Sequence, residues 1–180
     1  LLDVSCSVRS RNGESAKGFG SRPLGNVWAF PSRTLPYDTT LGAMKELANR
    51  LAPITSGYKE YGHPIDPTHA RDPEDLKAAS KASTHLQLYN PIPKLCTLVT
   101  ASPFDAAIHD AFGKVHNRSC YQTYGPDLLA HDLSHYLGAE FRGLRLDRYV
   151  NAKPLPRISL YHSGGGSDPL LSRDVVKPVG

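Results

Sequence analysis

The run at 102–125, SPFDAAIHDAFGKVHNRSCYQTYG, constrains this chain most, because it carries both a start signal and a buried face for one helix. Ser102 is placed to cap, Pro103 suits the first helical position, and Asp105, three residues after the cap, meets the positive helix end. Phe104, Ile108, Ala111, Phe112 and Val115 recur at offsets of 4, 7, 8 and 11, one apolar stripe at helical period. His109, Asp110 and Lys114 fall largely off that stripe and Gly113 interrupts it. Cys120, Tyr121 and Tyr124 then lead out through an aromatic turn to Gly125-Pro126.

At the N-terminus Leu2, Val4, Cys6 and Val8 alternate with polar residues, the period of a strand with one buried face. Asn12-Gly13 predicts a two-residue hairpin loop with both residues at positive φ, pairing Arg11 with Glu14 and setting Cys6 opposite Phe19. Residues 21–36 read as a long loop with three prolines and three exposed-looking large side chains, Arg22, Trp28 and Phe30. Asp38, Thr39 and Thr40 offer caps for a helix bearing Leu41, Met44, Ala48, Leu51 and Ala52, ended by Pro53. A loop to Arg71 precedes Asp72-Pro73-Glu74-Asp75, which opens a helix reaching about Leu88 with a weak, Ala-rich face. Leu95, Leu98 and Val99 read as a short helical or irregular element. A further helix is expected over 127–137, with Leu129, Leu133, Tyr136 and Leu137 on one face and Gly138 closing it. Ile158-Ser159-Leu160-Tyr161 reads as a short buried strand before the flexible Gly164-Gly165-Gly166.

A hairpin followed by helices is the order of an α+β unit, an antiparallel hairpin or meander packed on a small helical bundle. At 180 residues and 19.6 kDa the chain holds one domain with a sizeable core, or one domain and part of another. The net charge of +4 is spread singly, without a basic block or an aromatic-interleaved stripe, so no nucleic-acid partner is expected. Cys6, Cys96 and Cys120 are odd in number and lack CxxC spacing, which argues against a disulfide framework or a cysteine zinc site and for a reducing cytoplasm. No apolar run approaches the roughly 20 residues of a membrane span, and no membrane partner is expected. The chain lacks an initiator Met and both ends look cut, which predicts a fragment.

The pattern S-x-x-D-x-A-x-x-D-x-x-G-K at 102–114, followed by YQTYG, resembles the last long helix of the capping domain in the enolase superfamily, in its mandelate racemase and muconate lactonizing subgroup. The resemblance covers residues 1–168. It implies a capping domain at 1–138 lacking its first strand, and at 139–180 a crossover and the first strand of a (β/α) barrel whose remainder is absent. PRISLYHSGGGSDPL would be that strand and its loop. Members are racemases, acid-sugar dehydratases or cycloisomerases that abstract a proton next to a carboxylate and stabilise the enediolate on Mg²⁺. The resemblance therefore implies a carboxylate or sugar-acid substrate and a homo-oligomer.

The family's bases and metal ligands are missing from this chain. No Lys-x-Lys is present, and Glu140, Asp147, Asp168 and Asp174 are not spaced as ligands on three strand ends. No catalytic residue is assigned, Mg²⁺ is expected only in the complete enzyme, and the chain alone is expected to be inactive. What a cap contributes is substrate selection, through the loop after the hairpin's second strand, here 21–39. Trp28 and Phe30 would wall the pocket, Arg22 and Asn26 would reach a carboxylate or hydroxyl, and His162 would face substrate from the strand end. The alternative is that Trp28 and Phe30 pin the loop onto the helices.

A reading of a different class, a freestanding helical binding or metal-binding module, rests on His131-Asp132-Leu133-Ser134-His135. Histidines at i and i+4 share a helix face and resemble HExxH with Asp in place of Glu, pointing away from the Leu129, Leu133, Tyr136 face. Two ligands are not a site, and no third follows downstream, so no metal residue is assigned. His109-Asp110 with His116 makes a poor catalytic pair, since helix neighbours diverge by about 100°. The three glycines at 164–166 lack the Lys-Ser/Thr of a phosphate loop.

Overall fold

The computed structural model describes residues 1–161 and Leu171. The N-terminal alternation forms β1 (Leu2–Arg9), with Leu2, Val4, Cys6 and Val8 inward, and β2 (Ser15–Arg22) returns antiparallel. The turn is one residue longer than expected. Ser10 N–H donates to the Glu14 carbonyl (2.9 Å), Gly13 N–H donates to the Ser10 carbonyl (3.1 Å), and within the loop only Gly13 takes positive φ, at 90°. This is a three-residue connection with glycine at its left-handed position. The register slides accordingly, so Cys6 faces Gly18, and Phe19 turns to solvent.

After a single turn, α1 (Asn26–Ala29), come three long helices, α2 (Tyr37–Gly57), α3 (Ile65–His85) and α4 (Lys94–Val115). Each holds inside it a proline that the pattern had placed at a boundary. Pro53 does not end α2: it and Asn49, whose carbonyl it deprives of a donor, are both exposed, so the lost bond falls on the solvent side of the helix. Pro73 is also exposed, and α3 starts at Ile65, inside what was expected to be loop. Pro103 is buried, but the missing donor is replaced: the Ser102 hydroxyl donates to the Val99 carbonyl at 2.9 Å. Ser102 is therefore not a cap, and α4 absorbs Leu95, Leu98 and Val99.

Helices α3 and α4 close with the same motif. Leu88 N–H bonds the Ser83 carbonyl and Gln87 N–H the Thr84 carbonyl; Arg118 N–H bonds the Gly113 carbonyl and Asn117 N–H the Lys114 carbonyl. Gln87 and Asn117 take the left-handed position, at φ 50° and 52°. Beyond α4 lie a 3₁₀ turn, Cys120–Gln122, the one-turn α5 (Ser134–Leu137), and 3₁₀ turns at Ala139–Phe141 and Leu146–Arg148. The helix expected over 127–137 thus shrinks to α5. Asp132 accepts from the Ser134 N–H (3.0 Å) and hydroxyl (2.6 Å) and from Gly143 N–H (2.7 Å), bonds that fix a turn instead of a helix. Ile158, Leu160 and Tyr161 form no strand; Leu160 is 97% exposed, and no neighbouring strand among the described residues offers a ladder. His162 and the glycines at 164–166 lie outside the described residues.

The fold is α+β: a two-stranded antiparallel sheet and several helices. Helix α4 lies between the hairpin and the pair α2 and α3. One of its faces sends Cys96, Val99 and Phe104 into a core with Met44, Leu47 and Leu51. The weak face of α3 is buried through Ala78, Ala79 and Ala82, small side chains that permit a close approach. The other face of α4 meets β2 at Gly18 and Gly20, where an added Cβ would stand 2.0 Å from the Ala107 carbonyl oxygen and 2.1 Å from that of Pro103. All three cysteines are free thiols, and burial pushes the Cys96 pKa up to about 11. No helix among the described residues is long and apolar enough to cross a membrane.

Gly18→Ala and Gly20→Ala should each cost about 3 kcal/mol or more in urea unfolding, since the clash is with backbone. Gly42→Ala, in α2 with open space around it, should instead stabilise by about 0.5–1 kcal/mol.

Candidate functional site

The connection from β2 to α2 is held from within. Asn26 is buried, and its side-chain amide donates to the Tyr37 carbonyl (3.0 Å) and to Thr40 Oγ1 (2.8 Å), tying α1 to the first turn of α2. Phe30, at 2% exposure, enters the core with Ala29. The expected exposure of Phe30 is thus corrected: it pins the loop, and Asn26 spends its donors on backbone and Thr40. The same turn throws Val27 and Trp28 outward, Trp28 at 61% exposure, and Arg22 is exposed at the end of β2. Of the residues assigned to substrate, Arg22 and Trp28 reach the surface, Asn26 and Phe30 support it, and His162 lies outside the described residues.

A cleft of about 440 Å³ opens between α4 and the turn after it, lined by Asp105, His109, Lys114, Cys120, Tyr121 and Tyr124 among others. His109 Nδ1 lies 3.0 Å from the Asp105 carbonyl oxygen and 3.3 Å from Asp105 Oδ1, which also accepts the Thr68 hydroxyl at 2.6 Å. Burial alone would lower the His109 pKa, but the hydrogen bond and charge of Asp105 outweigh it and hold it above the usual histidine value. Against the upward pull of burial, the same contact and Thr68 hold Asp105 below the usual carboxylate range. An imidazole oriented through Nδ1 by a carboxylate leaves Nε2 for proton transfer. Asp110 is not its partner. That carboxylate accepts Phe19 N–H (2.9 Å) and Lys114 Nζ (2.6 Å), clasping α4 to the hairpin. The i,i+4 spacing of Asp105 and His109 was the legible signal for the true pair.

His63 is buried behind this cleft. Ile65 N–H donates to its Nδ1 (3.3 Å), so Nε2 carries the proton and donates to Thr123 Oγ1 (3.1 Å), whose hydroxyl donates to the Cys120 carbonyl (2.6 Å). Burial, with a smaller contribution from His109, lowers the His63 pKa to about 4. His131 and His135 are exposed, but His131 lies outside α5, so no shared helix face sets the pair; their rings stack at 3.9 Å and 10°. Asp66, in the first turn of α3, joins them: one ligand atom from each of the three lies within 4.8 Å of the others. No local spacing announced Asp66, which comes from far upstream.

Comparison with protein-family models, characterised proteins and solved structures finds no match for this chain.

His63 binds a proton in the unfolded chain below about pH 6.5 but in the folded chain only near pH 4. Stability should therefore fall as pH drops between those values, by on the order of 3 kcal/mol from this group. His109, its pKa raised, contributes stability that is complete below about pH 6.5 and is lost above it; the Asp105 contribution is lost only below about pH 4. Urea unfolding of the native chain and of His63→Gln across pH 4–7 reads the difference, and equal slopes would assign the acid sensitivity elsewhere.

Proposed function

We propose that this chain is the capping, substrate-selecting portion of an enolase-superfamily enzyme, a Mg²⁺-dependent racemase, acid-sugar dehydratase or cycloisomerase. The observation that carries this reading is the connection after β2: Asn26 and Phe30 anchor it in the core while Trp28 is held out at 61% exposure. An indole on an anchored turn covers a pocket and excludes water at little cost in lost side-chain freedom. Arg22, exposed nearby in sequence at the end of β2, supplies a guanidinium suited to a substrate carboxylate. The resemblance at 102–125 supports the same assignment, since this helix carries the hairpin from which the connection leaves.

Mg²⁺ takes an all-oxygen shell of carboxylates and waters. Among the described residues the cluster able to hold a metal is two imidazoles and one carboxylate, which does not fit that ion. In this reading the proton-abstracting groups and the Mg²⁺ belong to the barrel, and the chain's own residues bind and enclose the acid.

Exchange of a substrate α-proton with solvent deuterium, followed by NMR over a set of carboxylates and sugar acids, tests the proposal. In the enzyme with its barrel, Trp28→Ala should lower kcat/KM while changing stability by less than about 1 kcal/mol. Phe30→Ala should destabilise by about 3–5 kcal/mol. The 180-residue chain alone should show no exchange above buffer. Mg²⁺-dependent exchange by this chain, or an unchanged kcat/KM in Trp28→Ala, would overturn the assignment.

A further inference from the structure

We propose that Asp66, His131 and His135 form a binding site for a divalent transition-metal ion of the Zn²⁺ class, which clips the segment after α4 onto the start of α3. The inference does not rest on the capping role above. Three ligands arrive from two separated stretches of chain, and their nearest donor atoms already lie within 4.8 Å of one another. A tetrahedral zinc with nitrogen and oxygen ligands near 2.0–2.2 Å spaces its donors roughly 3.3 Å apart. The remaining distance is small, and the two exposed imidazoles, stacked at 3.9 Å, would cover it by turning out of that stack until one nitrogen of each faces the ion. Two nitrogens and one carboxylate favour zinc, cobalt or nickel over magnesium or calcium, and three protein ligands leave a fourth position for water.

The surroundings hold these ligands in place. Asp66 Oδ1 accepts the Tyr136 hydroxyl and Oδ2 accepts His63 N–H at 2.8 Å, the outer hydrogen bonds that orient a ligating carboxylate. The histidine segment is braced on both sides. Asp132 fastens it through Ser134 and Gly143, and the Arg145 guanidinium bonds the Leu129 and Ala130 carbonyls just before His131. His69 packs edge-on against Tyr136, ring centroids 5.4 Å apart, and stands outside the ligand group. The chemistry thus differs from a bare i,i+4 histidine pair, which would leave half the coordination sphere to solvent.

The test uses the tag-free 180-residue chain, titrated with Co²⁺ by visible absorption and with Zn²⁺ by calorimetry and thermal melting. One Co²⁺ per chain should give the intense bands of a four-coordinate site, Zn²⁺ should displace it, and Zn²⁺ should raise Tm. His131→Ala and His135→Ala, which alter exposed side chains, should keep the fold by circular dichroism and lose the bands. Asp66→Asn should weaken Zn²⁺ as strongly, and Tyr136→Phe should weaken it by about tenfold to a hundredfold with the stoichiometry unchanged. Failure of the native chain to bind one equivalent overturns the site. So does a Zn²⁺ affinity that is the same in Asp66→Asn as in the native chain, which would leave only the histidine pair. If Asp66→Asn does not fold, Tyr136→Phe decides, because a bare histidine pair would not respond to it.

Discussion

A hairpin can lie directly on a helix only where the strand has almost no side chains, and Gly18 and Gly20 meet that condition against Pro103 and Ala107. The contact is backbone on backbone, so it tolerates no added carbon, and it dictates what the rest of α4 must be. Positions facing the hairpin are Pro103, Ala107 and Ala111, a ridge at i, i+4 and i+8, while Cys96, Val99 and Phe104 fill the side toward α2. With both sides covered, α4 is the central element. The hairpin's own burial follows: Val4 and Cys6 lie opposite the two glycines and are half-buried on the same side of the sheet. Asp110 completes the seam by accepting the Phe19 N–H from the strand between them.

That double coverage explains why the stripe of Phe104, Ile108, Ala111, Phe112 and Val115 was legible, and why the ends of the helix were not. Proline at a helix start and proline inside a helix look alike in sequence; what separates them is whether the carbonyl four residues back finds water or another donor. Asn49 lies on the exposed side of α2, and Val99 finds the Ser102 hydroxyl. Both depend on placement in three dimensions. The end of α3 was misjudged for a related reason, because Gln87 occupies a left-handed position where glycine would have been a signal. The hairpin register shifted by one because Asn12-Gly13 fits two loop lengths, and the burial of Gly18 rather than Phe19 decides between them.

The candidate sites show the same division. Trp28 and Phe30 are two residues apart in one loop, and nothing in that spacing says which is the anchor; α1 decides it by turning one side chain in and the other out. The exposure of His131 and His135 was legible, but for the wrong reason: His131 lies outside α5, and a turn shaped by the bonds of Asp132 to Ser134 and Gly143 stands where helical spacing was expected. Asp66 could not be read locally, because its proximity is created by the path of the chain over α3. The Asp105 and His109 pair has the local i,i+4 spacing, but a helix start at Ser102 makes Asp105 read as a first-turn carboxylate, and α4 begins at Lys94 instead. One misplaced boundary thus concealed a charged pair.

The stretch around the start of α3 ties these features together through polar contacts. His63 bonds Thr123, Thr68 bonds Asp105, and Asp66 accepts Tyr136, so one short segment holds the cleft turn, the long helix and the histidine loop at once. Among the described residues after α4, Leu129 is the fully buried apolar side chain, and the bonds of His63 to Thr123 and of Tyr136 to Asp66 attach the segment beside it. Such an attachment is directional: each bond constrains orientation as well as distance, whereas an apolar contact permits sliding. The His63 pKa of about 4 keeps its ring neutral at ordinary pH, so the bonds to Thr123 and Ile65 persist there. Protonating Nδ1 would set a donor against the Ile65 N–H and loosen the start of α3, where Asp66 accepts the His63 backbone N–H.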